Sequence, residues 1–100
     1  MRAQGWLAMT ETLPETLLGR NTTTAPLYKV LLHNDDRNSM DHVVRALMKV
    51  FRYDEPAAVR IMLEAHQTGL ALCAVEPFEQ AEFHRDQLVA LSLTATIEQE

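Results

Sequence analysis

Tyr28-Lys-Val-Leu-Leu-His-Asn-Asp-Asp-Arg-Asn-Ser39 is a short apolar run that meets a cluster of polar groups and stops. From Tyr28 to Leu32 the aromatic, β-branched and aliphatic residues fit a strand, and Asn34-Asp35-Asp36 end it with turn chemistry. The strand therefore delivers an amide and two carboxylates to a rim. Asn38 or Ser39 is placed to N-cap a helix, because Met40, Val43, Val44, Leu47, Met48 and Phe51 recur at helical spacing. Met40 and Val43 then sit on the first turn of that helix, beside the acidic turn. Negative charge next to an apolar surface suits a ligand with a cationic end and an apolar end. A solvated capping turn with no ligand accounts equally well for this stretch taken alone.

Outward from this centre, the 100 residues have room for one domain. With 47% apolar and 23% charged residues the chain is globular rather than disordered. A formal net charge of −5 argues against nucleic acid, whose binding rests on Lys and Arg neutralising phosphates, and favours a basic or ammonium-bearing partner. Cys73 is the single cysteine, which excludes an intrachain disulfide and a thiolate zinc cluster and fits a reducing, cytoplasmic compartment. It lies in an apolar run, as a buried small hydrophobe would. No apolar stretch approaches the ~20 residues of a membrane span, and Glu11 and Glu15 interrupt what would have to be a signal or transit peptide.

Residues 1–26 read as a flexible N-terminal extension: Gly19, Asn21, Thr22, Thr23, Thr24 and Pro26 make a turn-rich linker. Within it Trp6, Leu7, Thr10, Leu13 and Leu17 have rough helical spacing, interrupted by Pro14, and an isolated helix this short is marginal in water. The domain spans 27–98. After the first helix, Asp54 starts a second, with Pro56 tolerated in its first turn. Val59, Met62, Leu63 and His66 share one face of it, Ile61 and Ala65 flank that face, and Gly69 is placed to end it as a left-handed residue. Leu70 to Val75 is a continuous apolar run of strand length. Pro77 opens a third helix carrying Phe78, Ala81, Leu88 and Leu91 inward, and Ser92 to Ile97 alternates with a period of two as a closing strand. The predicted order is β-α-α-β-α-β, an α+β domain with a three-stranded, mostly antiparallel sheet covered by helices.

Enzyme chemistry finds little support. His33, Asp35, Asp36, His42, His66 and His84 include no pair with HExxH spacing, so no metal is expected. Ser39 and Ser92 lack a strand-turn-helix elbow for nucleophilic catalysis, and adjacent Asp35 and Asp36 point apart in a turn. Three glycines make no phosphate loop, and no cofactor is implied. A recognition site remains, with His66 as its third polar member if the second helix packs beside the first. By itself His66 fits a hydrogen-bonded core histidine at least as well.

Three blocks in order, Tyr28-Lys-Val-Leu-Leu-x-Asn-Asp-Asp, Met40-Asp-x-Val-Val and Ile61-Met-Leu-x-x-His-x-x-Gly69-x-Ala-x-Cys73, resemble the ClpS family, adaptors that hand N-degron substrates to the Clp protease. The resemblance covers Leu27 to Glu98. It implies that Asn34, Asp36 and His66 hold the free α-amino group of a substrate. Leu32, Asp35, Asn38, Met40, Val43, Met62, Ala65 and Leu93 are implied as the pocket for its first side chain. It also implies docking on the N-terminal domain of a Hsp100 unfoldase, ClpC or ClpA, through Glu79 and His84. Asp41-His-Val-Val, Glu79-Gln-Ala-Glu and a short third helix are most similar to the cyanobacterial and plastid branch, whose unfoldase is ClpC. The chain departs from the common pattern at Arg37, Asn38-Ser39, Ala65 and His84. An alternative with the same resemblance is a regulatory domain that binds the unfoldase without holding a substrate.

Overall fold

The computed structural model of the protein describes residues 25–100, so the expected extension lies outside the described residues except for Ala25 and Pro26. Six elements occur in the expected order: β1 (Leu27–His33), α1 (Met40–Phe51), α2 (Glu55–Thr68), β2 (Leu70–Pro77), α3 (Phe78–Ala90) and β3 (Thr94–Gln99). β1 is the central strand, paired antiparallel with β2 on one side and β3 on the other. The chain's end is tied to its beginning by Glu100 N–H donating to the Leu27 carbonyl at 2.9 Å.

Local chemistry sets the helix ends. The Ser39 hydroxyl accepts from the His42 N–H at 3.1 Å, and the Asp54 carboxylate accepts from the Ala57 N–H at 3.0 Å, each satisfying an orphan donor of a first turn. Gly69 ends α2 at φ 93°, with its N–H bonded to the Ala65 carbonyl at 2.8 Å. Arg52, at φ 62°, performs the same reversal after α1 without the steric freedom of glycine.

One side of the sheet is covered. Val30 and Leu32 from β1, Ala71 and Cys73 from β2, and Leu93 and Ala95 at β3 meet Leu47, Val50, Ala58, Ile61, Ala81 and Leu88 from the three helices in one core. The register of β1 and β2 slips between Val30 and Leu31, which leaves Cys73 as an extra residue in β2. At this bulge the Tyr53 hydroxyl donates to the Cys73 carbonyl at 2.6 Å, bracing the connection between α1 and α2 against the sheet. Burial pushes the Cys73 thiol up to about 12, so it carries no thiolate at neutral pH.

Three sequence expectations are corrected. Phe78 does not point inward: it is 44% exposed, with its ring edge against Tyr28 at 5.1 Å between centroids. Its place at the helix start, before α3 has crossed the sheet, keeps it off the core. The buried face of α2 is centred on Ala58, Ile61, Met62 and Ala65, and Leu63 is exposed. Ser92 does not start the last strand; it sits at φ 74° in a turn whose Leu93 N–H returns to the Leu88 carbonyl, and pairing begins at Thr94.

Candidate functional site

Where β1 runs out, the polar turn is built around one carboxylate. Asp35 Oδ1 accepts from the Arg37 N–H at 3.0 Å, the Asn38 N–H at 3.1 Å and Asn38 Nδ2 at 3.1 Å. Its Oδ2 accepts from Asn38 Nδ2 at 3.1 Å and from the Thr94 hydroxyl at 3.2 Å. Burial by itself would push the Asp35 carboxyl up, but these hydrogen bonds together outweigh it and hold the pKa below the ordinary carboxylate value. Asn38 Nδ2 also donates to the Ser92 carbonyl at 2.8 Å, and Arg37 Nη2 reaches the Thr94 hydroxyl at 3.3 Å. The turn is thereby locked to the α3–β3 connection. A second tie, His42 Nε2 to the Leu91 carbonyl at 2.7 Å, fixes the first turn of α1 to the same connection.

The other wall comes from α2. The Asn34 N–H donates to the Gly69 carbonyl at 3.1 Å, so the left-handed cap that ends α2 is joined to the residue that follows β1. His66 lies on the last turn of α2, and this tie brings it to the same opening as Asn34 and Asp36.

The result is a cavity of about 330 Å³. Its floor is apolar, made by Leu32, Val43, Met62, Ala65 and Leu93, and Met40 stands 48% exposed at its mouth. Its rim holds Asn34, Asp35, Asp36, Asn38 and His66. Every residue expected at the amine site and in the side-chain pocket thus borders one space. Their states differ: the Asp35 and Asn38 side chains are engaged within the protein. By contrast, the Asn34, Asp36 and His66 side chains are exposed and make no hydrogen bond or ion pair to another described residue. His66 is therefore not a hydrogen-bonded core histidine. His33 and Ser39 also border the cavity, outside the expected set. His33 lies one residue beyond the predicted end of its strand and is held by Thr96 at 2.8 Å, while Ser39 reads from sequence only as a cap.

Glu79 and His84 stand apart from the cavity, on α3. Glu79 is exposed in the first turn. His84 is half-buried, its Nδ1 2.7 Å from Glu76 Oε1, with the Phe51 and Phe83 rings at 4.8 and 5.8 Å between centroids. Among the described residues no three His, Cys, Asp or Glu side chains converge as metal ligands, and no helix is long and apolar enough to cross a membrane.

An open apolar cavity whose rim carries three unpartnered polar side chains, on an α+β frame, has the chemistry of a binding site for a small amphipathic cation. Comparison with known proteins makes this specific. Residues 23–96 match the family described as "ATP-dependent Clp protease adaptor protein ClpS", and the chain belongs to that family. It is 46% identical over 90 residues to the Clp protease adapter protein ClpS of Gloeobacter violaceus, covering 89% of this chain and 95% of that one. It is 42% identical over 86 residues to the chloroplastic adapter CLPS1 of Chlamydomonas reinhardtii, covering 85% of this chain and 53% of that one. Among solved structures, ClpS2 of Agrobacterium tumefaciens bound to L-phenylalaninamide superposes with a TM-score of 0.73 at 34% identity, covering 75% of this chain and 98% of the other. The expected placement in the cyanobacterial and plastid branch agrees with these relatives.

Proposed function

We propose that this adaptor binds the free α-amino group and the first side chain of N-degron substrates, and that it presents them to a Hsp100 unfoldase of the Clp protease. The observation that carries the reading is the set of unpartnered Asn34, Asp36 and His66 side chains over an apolar cavity. An amide oxygen, a carboxylate and an imidazole nitrogen offer acceptors for the three N–H donors of an ammonium, directly or through water. Leu32, Met40, Val43, Met62, Ala65 and Leu93 accept the side chain, and Asp35 with Asn38 hold the wall between the two subsites. L-Phenylalaninamide, present in the Agrobacterium relative, has both halves of such a ligand: a free α-amine and an aromatic side chain.

Charge-assisted hydrogen bonds contribute about 1.5–3 kcal/mol each, and burying a Leu or Phe side chain about 1.5–3 kcal/mol. After association costs this leaves a complex in about the micromolar range, weak enough for hand-over. The experiment is fluorescence anisotropy on labelled peptides that differ only in residue one, Leu, Phe, Tyr, Trp or Arg, with an acetylated control. Acetylation removes the charge and two donors and should weaken binding by at least about tenfold, the loss of one charged hydrogen bond. Equal affinity for free and acetylated peptides would sink the reading and leave the regulatory alternative.

The docking face we assign to α3, through Glu79 and His84, with ClpC as the partner and the cytoplasm as the compartment. Support comes from the exposed aromatic residues Phe78 and Phe83 around them, since aromatic side chains are enriched at interfaces.

A further inference from the structure

The three helices cover one face of the sheet, and the opposite face is apolar on one half. Leu31 pairs with Leu72, His33 with Leu70, Lys29 with Val75 and Leu27 with Pro77, so these side chains share the uncovered side. Leu27, Leu70, Leu72 and Val75 are each about 40% exposed. Leu31, on the same side, is 8% exposed and stands outside the helix-covered core. An antiparallel sheet with one solvated face alternates apolar and polar residues. β3 obeys this with Thr94, Thr96 and Glu98 outward; β2 does not, and its unbroken run Leu70–Val75 is the pattern of a strand covered on both faces.

The sequence that precedes the fold has the means to cover it. Residues 1–24 include Trp6, Leu7, Met9, Leu13, Leu17 and Leu18, and they join the described chain at Ala25, two residues before Leu27, itself part of the patch. The seven residues of β1 span roughly 23 Å. The 24 residues before Ala25 are long enough to run back along it, with the turn-rich stretch Gly19–Thr24 to reverse direction before Pro26. A tethered segment also acts at about millimolar effective concentration, which an untethered second copy does not reach in dilute solution.

We propose that residues 1–24 dock back on the open β1–β2 face, setting Trp6 and the leucines of the segment against Leu27, Leu70, Leu72 and Val75. The apolar floor of the binding cavity, made by Leu32, Val43, Met62, Ala65 and Leu93, lies on the helix side of the sheet, so the docked segment leaves it open. Docking shields the apolar strand while the adaptor is free, and the segment must be released before anything else can grip it.

Trp6 is the single tryptophan of the chain, so its fluorescence reads the segment directly in the full-length protein. In the wild type its emission should be blue-shifted relative to the urea-unfolded chain and protected from acrylamide, independent of protein concentration. Leu72→Asp, on the open face, should move the emission and quenching to those of the unfolded chain while far-UV circular dichroism stays native. Leu13→Asp, which leaves residues 25–100 untouched, should do the same and decides the matter if Leu72→Asp fails to fold. Water-like Trp6 emission in the wild type overturns the proposal, as does blue-shifted emission that Leu13→Asp leaves in place. A blue shift that appears only with rising concentration, together with dimer in sedimentation, overturns it in favour of a second copy.

Discussion

At Asp35 the difference between bordering a site and acting in it is decided by hydrogen bonds. Five contacts from Arg37, Asn38 and Thr94 occupy its two oxygens, so it shapes the rim, whereas Asp36 next door has no partner among the described residues. Because the folded pKa of Asp35 is lowered, its contribution to stability is present above the ordinary carboxylate value near 3.9 and is lost as pH falls through the folded value. Asp35→Asn should therefore cost about 1–3 kcal/mol in urea denaturation at pH 7, and the gap to wild type should narrow below about pH 3.9. A gap that is constant with pH would contradict this account. Met40 and Ala65 make the complementary apolar case. An unbranched thioether at the mouth fills the space that a branch at the ligand's β-carbon needs, so the wild type should refuse peptides starting with Ile or Val and Met40→Ala should admit them. Ala65 is buried in the floor, and Ala65→Val should disfavour Trp and Phe relative to Leu by about 1–3 kcal/mol if the added methyl groups overpack. If anisotropy finds the ranking of first residues unchanged in both variants, these side chains do not contact the ligand.

At the scale of elements, Gly69 couples fold to site. An added Cβ there meets no atom within 4 Å, so the cost of Gly69→Ala lies in the φ of 93° alone, about 1–2 kcal/mol. Any relaxation of that φ moves the carbonyl that Asn34 binds and shifts Asn34 relative to His66. Gly69→Ala should thus lower both thermal stability and peptide affinity, and Gly69→Asn, which tolerates the left-handed region, should recover most of each. Loss of stability with affinity intact would show that the tie between Asn34 and Gly69 does not position the site. Such caps were legible in the sequence, as Ser39, Asp54 and Gly69 show, because capping depends on neighbours within four residues. The buried face of α2 was not, since apolar residues spread over a wide arc of that helix. Tertiary packing chose the side with Ala58 and Ala65, whose small side chains let the helix approach its neighbours. Nor was the lock joining Asp35 and Asn38 to Ser92 and Thr94, whose partners are 54 to 59 residues apart and leave no local pattern.

For the whole molecule, every described residue that borders the cavity falls between Leu32 and Leu93, while the proposed docking residues Glu79 and His84 lie on α3, away from the opening. On the proposed reading, capture and docking therefore use separate surfaces, both built from described residues. Ligand affinity should then be indifferent to the N-terminal segment. Hand-over is another matter: an unfoldase pulls on polypeptide it can thread, and a compact domain held by capped helices and an antiparallel sheet offers it little to grip. Deleting residues 1–24 should leave anisotropy titrations with Leu- or Phe-started peptides unchanged while degradation of a Leu-started substrate, assayed with unfoldase and peptidase, collapses. The paired readout separates the two roles, because misfolding of the truncated protein would abolish both. A truncated protein that binds and delivers as well as the full chain would show that the segment takes no part in transfer.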